Sequence, residues 1–299
     1  MNKKRYLSLF LTHVGLIIDI IIINDVTNQC RFTHSSPTIN NYETATFHNS
    51  SRQSCRLFVS VNKVHLLTEI LTSTDEFPKT AQPSPQDYLD LFEDAKEKGD
   101  SIVYLSLSSA LSGTFQSATL AKSMVEYDEI YLVDTLSATR AIRLMTEYAC
   151  KLRTEGKDAA TIASELEDFK SRVVILAAVD TLEYLSKGGR LNKAVAAVGE
   201  LANLKPIITV TKEGSIGVPA KALGRNKAIS TLVKMITEYD IDTTFPIYSL
   251  FAVGEENTEK LEQKLGKEGI RVTKRLQIGS TIGCHVGPGA YGVIFVTKK

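Results

Sequence analysis

Between residues 101 and 154 the chain twice repeats a short apolar run followed by a longer amphipathic one. The pattern predicts strands over 101–107 and 129–133 and helices over 113–127 and 139–154. Two strands separated by a helix need a crossover, which sets them parallel and lays the helix on a face of the sheet. An all-β sandwich and an all-helical bundle are thereby excluded for this stretch. A further helix is predicted over 159–169. The order then changes to a strand over 173–179, a helix over 192–202 and a hairpin of 207–211 with 216–221 around Glu213-Gly214. A helix over 228–239, a strand over 247–253, a helix over 258–265 and strands over 272–278 and 293–296 complete it. A hairpin among crossovers marks a mixed α+β unit. The fold class is therefore α/β. Residues 1–172 are expected to form a mostly parallel sheet with helices on both faces. Residues 173–299 are expected to form a smaller mixed α+β domain that closes a cleft, the boundary falling near Lys170. A chain of 299 residues has room for two such domains.

The beginning reads differently. Lys3-Lys4-Arg5 precede an apolar run over 6–23, as in a secretory leader, but no small-x-small cleavage pattern follows. Asp19 lies within the most apolar part, which argues against a membrane span as well. The Ile-rich stretch 16–23 is read as a central parallel strand buried on both faces. Beyond it, Asn, Ser and Thr dominate residues 25–54, and no lysine occurs between Lys4 and Lys63. This stretch is expected to be irregular and weakly packed. A short amphipathic helix is predicted over 64–71. Residues 77–85 follow as an extended segment, because each proline disfavours helix in the residue before it. Ser84 is placed to cap the next helix, with Pro85 at its first position and Tyr88, Leu89 and Phe92 on one face.

Composition removes several function classes. Thirty-five Lys and Arg against 34 Asp and Glu leave a net charge of +1, so the basic excess of a nucleic-acid binder is missing. The four cysteines are too scattered for a disulfide framework, and no C-x-x-C pair offers a zinc or dithiol site. No metal and no cofactor are expected, and the compartment expected is the reducing cytoplasm.

Four short runs carry what chemistry there is. Ser108-Ser109-Ala110-Leu111-Ser112-Gly113-Thr114 joins a strand to a helix. Small residues let a ligand approach the backbone, and the free N–H groups of the helix start suit a carboxylate or phosphate, although Ser and Thr are also ordinary caps. Thr80 stands in the proline-stiffened segment, where its hydroxyl could be held toward that helix start or serve no more than a rigid connector. Lys187-Gly188-Gly189-Arg190 is too short for a phosphate loop; the glycine pair is expected to end a helix and leave Arg190 exposed. Cys284-His285 precedes the Gly287-Pro288-Gly289 turn. On an extended segment these two side chains would point to opposite faces, so a shared metal is not expected. His285 is read either as an anion-binding group or as a satisfied structural histidine.

Taken together, Pro78-Lys79-Thr80-Ala81-Gln82-Pro83-Ser84, the stretch 108–118, Asp180-Thr181-Leu182-Glu183-Tyr184-Leu185-Ser186-Lys187-Gly188-Gly189-Arg190, Lys205-Pro206-Ile207 and the stretch 285–289 resemble the DegV family of bacterial fatty-acid-binding proteins. The resemblance runs from about Val61 to the C-terminus. It implies a two-domain protein that holds a long-chain fatty acid between its lobes and has no catalysis of its own. The carboxylate would meet Thr80, Ser112 with Gly113 beside it, and His285. It also implies presentation of that carboxylate to a separate ATP-dependent acyl kinase, with Arg190 as a docking contact. The family's Lys-x-Arg-Gly reads Lys221-Ala222-Leu223-Gly224 here, so Arg225 is the residue placed to substitute for the second docking arginine. The Thr-Asp-Ser motif that ends the family's opening strand is absent, and residues before about Phe58 are read as not the family's own N-terminal segment. A small-molecule kinase or phosphotransfer subunit of related fold, and a regulatory protein with an empty cleft, are the alternatives. No nucleotide loop or metal-carboxylate cluster in the sequence favours the former. Stable membrane insertion and nucleic-acid binding are not expected.

Overall fold

The computed structural model describes residues 80–191 and 203–299, together with the backbone of four strands in the first sixty residues. These four are β1 (Asp19–Ile23), β2 (Cys30–Phe32), β3 (Tyr42–Asn49) and β4 (Gln53–Ser60). Strand β5 (Ser101–Ser106) and strand β6 (Ile130–Asp134) pair in parallel, as the crossover requires. The first sheet has the order β2-β1-β5-β6. Strand β1 lies antiparallel to β5, with Asp19 opposite Leu105 and Ile23 opposite Ser101. The parallel orientation expected for the Ile-rich run is therefore corrected. An apolar run reports that a strand is central, whereas its direction depends on how the chain reaches it. The irregular segment expected over 25–54 is corrected too, since β3 and β4 form an antiparallel ladder from Tyr42–Ser60 to Asn49–Gln53. Such a ladder is satisfied through backbone N–H and C=O groups and needs no apolar surface. The helices expected over 64–71 and 192–202 lie outside the described residues.

Among the described residues, four helices build the rest of the first half. Helix α1 (Gln86–Lys98) has Pro85 as its N-cap and no side-chain cap, so the cap expected of Ser84 is corrected. Ser84 instead donates through its N–H and hydroxyl to the Asp87 carboxylate in the first turn, at 2.7 and 2.9 Å, and these bonds tie the chain to the helix start. Helix α2 (Thr114–Val125) follows β5, and α3 (Arg140–Thr154) and α4 (Ala159–Phe169) follow β6. The side chains of β5 alternate between two cores. Ile102 and Tyr104 pack with Tyr88 and Phe92 of α1 and Ala118 and Ala121 of α2, whereas Val103 and Leu105 pack with Leu144 and Met145 of α3.

The second sheet is the larger one, with order β11-β10-β12-β7-β8-β9. Its strands are β7 (Val173–Ala178), β8 (Leu204–Val210), β9 (Ile216–Leu223), β10 (Tyr248–Phe251), β11 (Lys274–Gln277) and β12 (Tyr291–Val296). Only the β10–β11 pair is parallel among them, and β8–β9 is the expected hairpin. Helices α5 (Glu183–Lys187), α6 (Arg225–Thr237), α7 (Glu256–Lys267) and α8 (Ser280–Val286) connect these strands. The smaller of the two expected domains thus carries the wider sheet. Strand β7 divides two cores as β5 does. Leu176 and Ala178 face α6 and α7, while Ile175 and Ala177 join the core that holds α3, α4 and β5. The layers therefore run helix, sheet, helix, sheet, helix, with α3 and α4 shared in the middle. At the crossing between sheets the Arg172 guanidinium stacks 5.6 Å from the Phe169 ring and 5.5 Å from Phe245, and its Nη2 reaches Asp242 at 2.6 Å.

Candidate functional site

The loop after β5 is shaped by its own hydroxyls. Ser108, fully buried, donates through Oγ to the carbonyl of Gly214 at 2.8 Å, which pins the tip of the β8–β9 hairpin to this loop. The amide of Ser112 donates to Ser108 O, and Ser112 Oγ accepts from the Thr114 amide at 3.3 Å while sharing a hydrogen bond with Thr114 Oγ1 at 2.8 Å. Ser112 therefore stands just before the N-terminus of α2, whose N-cap is Gly113 and which has no side-chain cap. At the next residue, a Cβ on Gly113 would fall 1.7 Å from Gln82 Oε1. Gln82 also donates to Ser117 Oγ at 3.1 Å, so the proline-bounded segment lies flat on the start of α2. This close approach carries Thr80 to the same place.

His285 arrives from the other half of the chain. It sits in the last turn of α8, not on an extended segment as expected, and the short helix turns Cys284 and His285 along adjacent rows instead of opposite faces. His285 is 9% exposed, and its Nε2 is hydrogen-bonded to Thr80 Oγ1 at 2.8 Å, across 205 residues of sequence. Among the described residues its Nδ1 has no hydrogen-bond partner. Burial, reinforced by the positive charge of Arg190, pushes the imidazole pKa down to about 4, so the ring is neutral at pH 7. Gly188 makes room for it, since a Cβ there would lie 2.2 Å from His285 Nδ1. Tyr184 packs in the same way against Gly287. The Asp180–Arg190 run and the 285–289 turn are thus packed together as one surface.

Thr80, Ser112 and His285 meet at a cavity between the two sheets. Its remaining wall is largely apolar, formed by Leu107, Leu111, Ala138, Leu185, Ile216, Ile282 and Val286, with Gln82, Thr281 and Arg190 as further polar members. The enclosed space is about 60 Å³, against roughly 300–1,000 Å³ for an ordinary small-molecule site. It admits a head group as it stands, and a long tail only as these side chains part. Among the described residues no cluster of three or more His, Cys, Asp or Glu could hold a metal ion, and no helix is long and apolar enough to cross a membrane.

The two arginines diverge. Gly189 adopts the left-handed conformation at φ 70°, as expected after a helix, and the chain folds back so that the Arg190 amide donates to Leu185 O. The side chain then runs inward. Its Nε donates to Leu111 O at 3.1 Å and its Nη1 to Gly188 O at 2.6 Å, so Arg190 is half-buried at the cavity and not the exposed residue expected. Arg225 remains at the surface, its side chain 58% exposed, with Nη2 at 3.2 Å from Asp180 Oδ2. Lys205 Nζ completes that cluster at 2.8 Å from Asp180 Oδ1. Burial alone would raise the Asp180 carboxyl, but the bonds from Lys205 and Arg225 outweigh it and hold the carboxyl below its usual range. The sequence pattern did not reveal Gln82, Ile216 or Ile282 as cavity residues. The one available signal was a glycine, Gly113, at a helix start where a side-chain cap is usual.

Fold and site together define an α/β protein with a largely apolar cavity whose polar members include Thr80, Ser112, Arg190 and His285. This chain belongs to the DegV family: the model of that family, described as "Uncharacterised protein, DegV family", matches residues 61–298. A DegV domain-containing protein of Clostridium acetobutylicum is 31% identical over 232 residues, covering 78% of this chain and 82% of its own length. A fatty-acid-binding DegV family protein from Thermus thermophilus superposes with a TM-score of 0.70 at 31% identity, over 79% of this chain and 84% of that one. The Streptococcus pneumoniae fatty acid kinase (Fak) B3 protein loaded with linoleic acid gives a TM-score of 0.71 over 94% and 90%; at 20% identity the likeness is one of fold.

Proposed function

We propose that this protein binds a long-chain fatty acid in the cavity between its sheets and presents the carboxylate to a separate acyl kinase in the cytoplasm. The observation that carries this reading is the Thr80–His285 hydrogen bond of 2.8 Å, made in a largely apolar cavity that Ser112 also lines. The carboxylate would take hydrogen bonds from Thr80, Ser112 and His285, next to the open helix start at Gly113. Each buried CH₂ of the tail contributes about 0.8 kcal/mol, so a long chain supplies on the order of 10 kcal/mol before the entropy of binding is subtracted. A few hydroxyls and one neutral imidazole then suffice to orient the head. The role is one of binding and presentation without bond-making. Arg225, exposed beside the Asp180 cluster, supports a docking role toward the kinase, whereas Arg190 reaches the cavity itself.

Native mass spectrometry of the protein purified from a bacterial host tests the reading. A copurified acyl chain is expected, and an empty protein that takes up no added fatty acid would refute it. Ser112→Ala is expected to weaken acyl binding roughly tenfold to a hundredfold with the fold intact, as for a lost hydrogen bond to a charged group. Unchanged affinity in a titration would remove Ser112 from the site.

A further inference from the structure

The β8–β9 hairpin is fixed at its root and lightly held at its tip. Strand β9 is outermost in its sheet, and β8 pairs with β7 only from Ile207 to Thr209. Among the described residues, the end of the hairpin over 210–216 therefore has no ladder partner beyond its own two strands. The register of β8 against β9 also shifts between Ile207 and Thr209, which breaks the ladder where this end begins. The tip is held instead from the first half of the chain, through the Ser108 hydroxyl and its 2.8 Å bond to the Gly214 carbonyl.

The seat for that tip is rigid. Asp134 Oδ1 accepts from the amides of Ser109 and Leu136 at 3.1 Å each, and the Ser108 amide donates to Ser137 O at 2.9 Å. The loops after β5 and β6 thus form one piece. Leu136 is held at a positive φ of 46°, uncommon for a residue other than glycine, and it lies where Gly214 rests. A Cβ on Gly214 would fall 2.1 Å from Ser108 Oγ and 3.1 Å from Leu136 Cδ2. Two residues further on, Ile216 forms part of the cavity wall. Other walls are tied more firmly: Leu111 donates to Ser108 O and accepts from Arg190 Nε, while Ile282 belongs to α8, which packs against α5. A cavity of about 60 Å³ must widen to take a long tail, and the end of the hairpin is the wall with least to break.

We infer that the end of the β8–β9 hairpin is the lid of the acyl cavity and that Ser108 is its latch, a positioning residue that sets how fast a fatty acid enters and leaves. The inference rests on the fatty-acid reading above. Ser108 is not among the residues that line the cavity, so it acts through the hairpin and Ile216. The latch bond is broken in the open state whether or not the cavity is filled. Its loss therefore eases entry and exit alike and leaves their ratio, the affinity, nearly unchanged.

The test is stopped-flow fluorescence with cis-parinaric acid on the delipidated full-length protein, on Ser108→Ala and on Gly214→Ala, together with amide hydrogen exchange over 210–216 without ligand. Both variants are expected to exchange these amides faster and to take up and release the acid roughly tenfold faster, as the loss of one buried hydrogen bond allows. The dissociation constant should stay within about threefold. Gly214→Ala wedges the tip outward while keeping the Ser108 hydroxyl, so it reaches the same end without touching the Ser112 loop. Unchanged hydrogen exchange in both variants would overturn the latch. Faster hydrogen exchange with unchanged uptake and release would overturn the lid. Release that quickens only in step with lost affinity would overturn the inference too, by placing Ser108 in the binding site. If the unaltered protein binds no parinaric acid, the fatty-acid reading itself fails and the lid with it.

Discussion

Asp180 and Arg190 bound the same run of sequence and sit in opposite surroundings. Asp180 is paired twice, with Lys205 and Arg225, and also lies so close to Gly289 that a Cβ there would fall 1.9 Å from Oδ2. Among the described residues Arg190 is hydrogen-bonded to two carbonyls, and its neighbour His285 keeps one ring nitrogen without a partner. Charges in the first cluster satisfy one another and hold the 285–289 turn in place. Groups in the second are held in position but left incomplete. Paired charges mark where the fold is fastened, and on the proposed function the ligand would complete the second cluster.

Acid separates the two clusters most strongly. The folded-state pKa of His285, about 4, lies below the ordinary value of 6.5. Between these values the unfolded chain therefore holds more protons, and stability falls as pH drops from 6.5 to 4. The full difference is roughly 3 kcal/mol at 1.36 kcal/mol per pH unit. The Asp180 carboxyl is held below 3.8, so its contribution persists above that pH and is lost only as pH falls through the depressed value. Denaturant midpoints measured from pH 7.5 to 3 should show the cavity's loss first. His285→Gln should flatten the upper part of the curve, and a slope that survives this change would assign it to another group.

Asp180→Ala comes next in size. Removing the shared carboxylate leaves Lys205, only 15% exposed, with the residue-180 carbonyl at 3.3 Å but without its counter-charge. A loss of about 2–3 kcal/mol is expected, somewhat under the range for a fully buried pair. Acyl affinity of the folded protein should change little. A large fall in affinity with little change in the midpoint would reverse the assignment of fastening and binding between the clusters.

The smallest effect is expected at Arg225. Its pair with Asp180 is largely exposed, so Arg225→Ala should change stability by less than about 1 kcal/mol. Acyl content should be unchanged, while phosphoryl transfer to the bound acyl chain by a cognate kinase should fall. An unchanged transfer rate would remove Arg225 from the docking surface.

Much of the fold was legible because strand and helix periods are strong where elements are long. Helix α4 occupies the residues expected of it, and β7 and the β8–β9 hairpin differ from their expected spans only at the ends. Helix α8 was not legible. Ser280-Thr281-Ile282-Gly283-Cys284-His285-Val286 is short, contains glycine and β-branched residues, and its helical state comes from packing against α5. The direction of β1 was hidden for a different reason, since hydrophobicity reports burial and not orientation. Thr80, Ser112 and His285 were each visible in a motif, but only the tertiary fold brings Thr80 within 2.8 Å of His285. The inward path of Arg190 depends on the carbonyl of Leu111, which no local pattern could indicate.

The shared middle layer has a mechanical consequence. Leu144 and Met145 of α3 and Leu166 and Phe169 of α4 belong to a single core with β5 on one side and with β7 and β10 on the other. The two sheets are therefore glued across their centres, and a wide hinge motion between them would tear that core open. A molecule entering the cavity must use local breathing at its rim, where Ile216, Ile282 and Leu111 are only partly buried. Exchange then runs at a pace set by the protein. On the proposed function, a bound chain would leave by a slow first-order escape that does not quicken when an acceptor is added in excess, and hand-over would depend on a partner that loosens the rim.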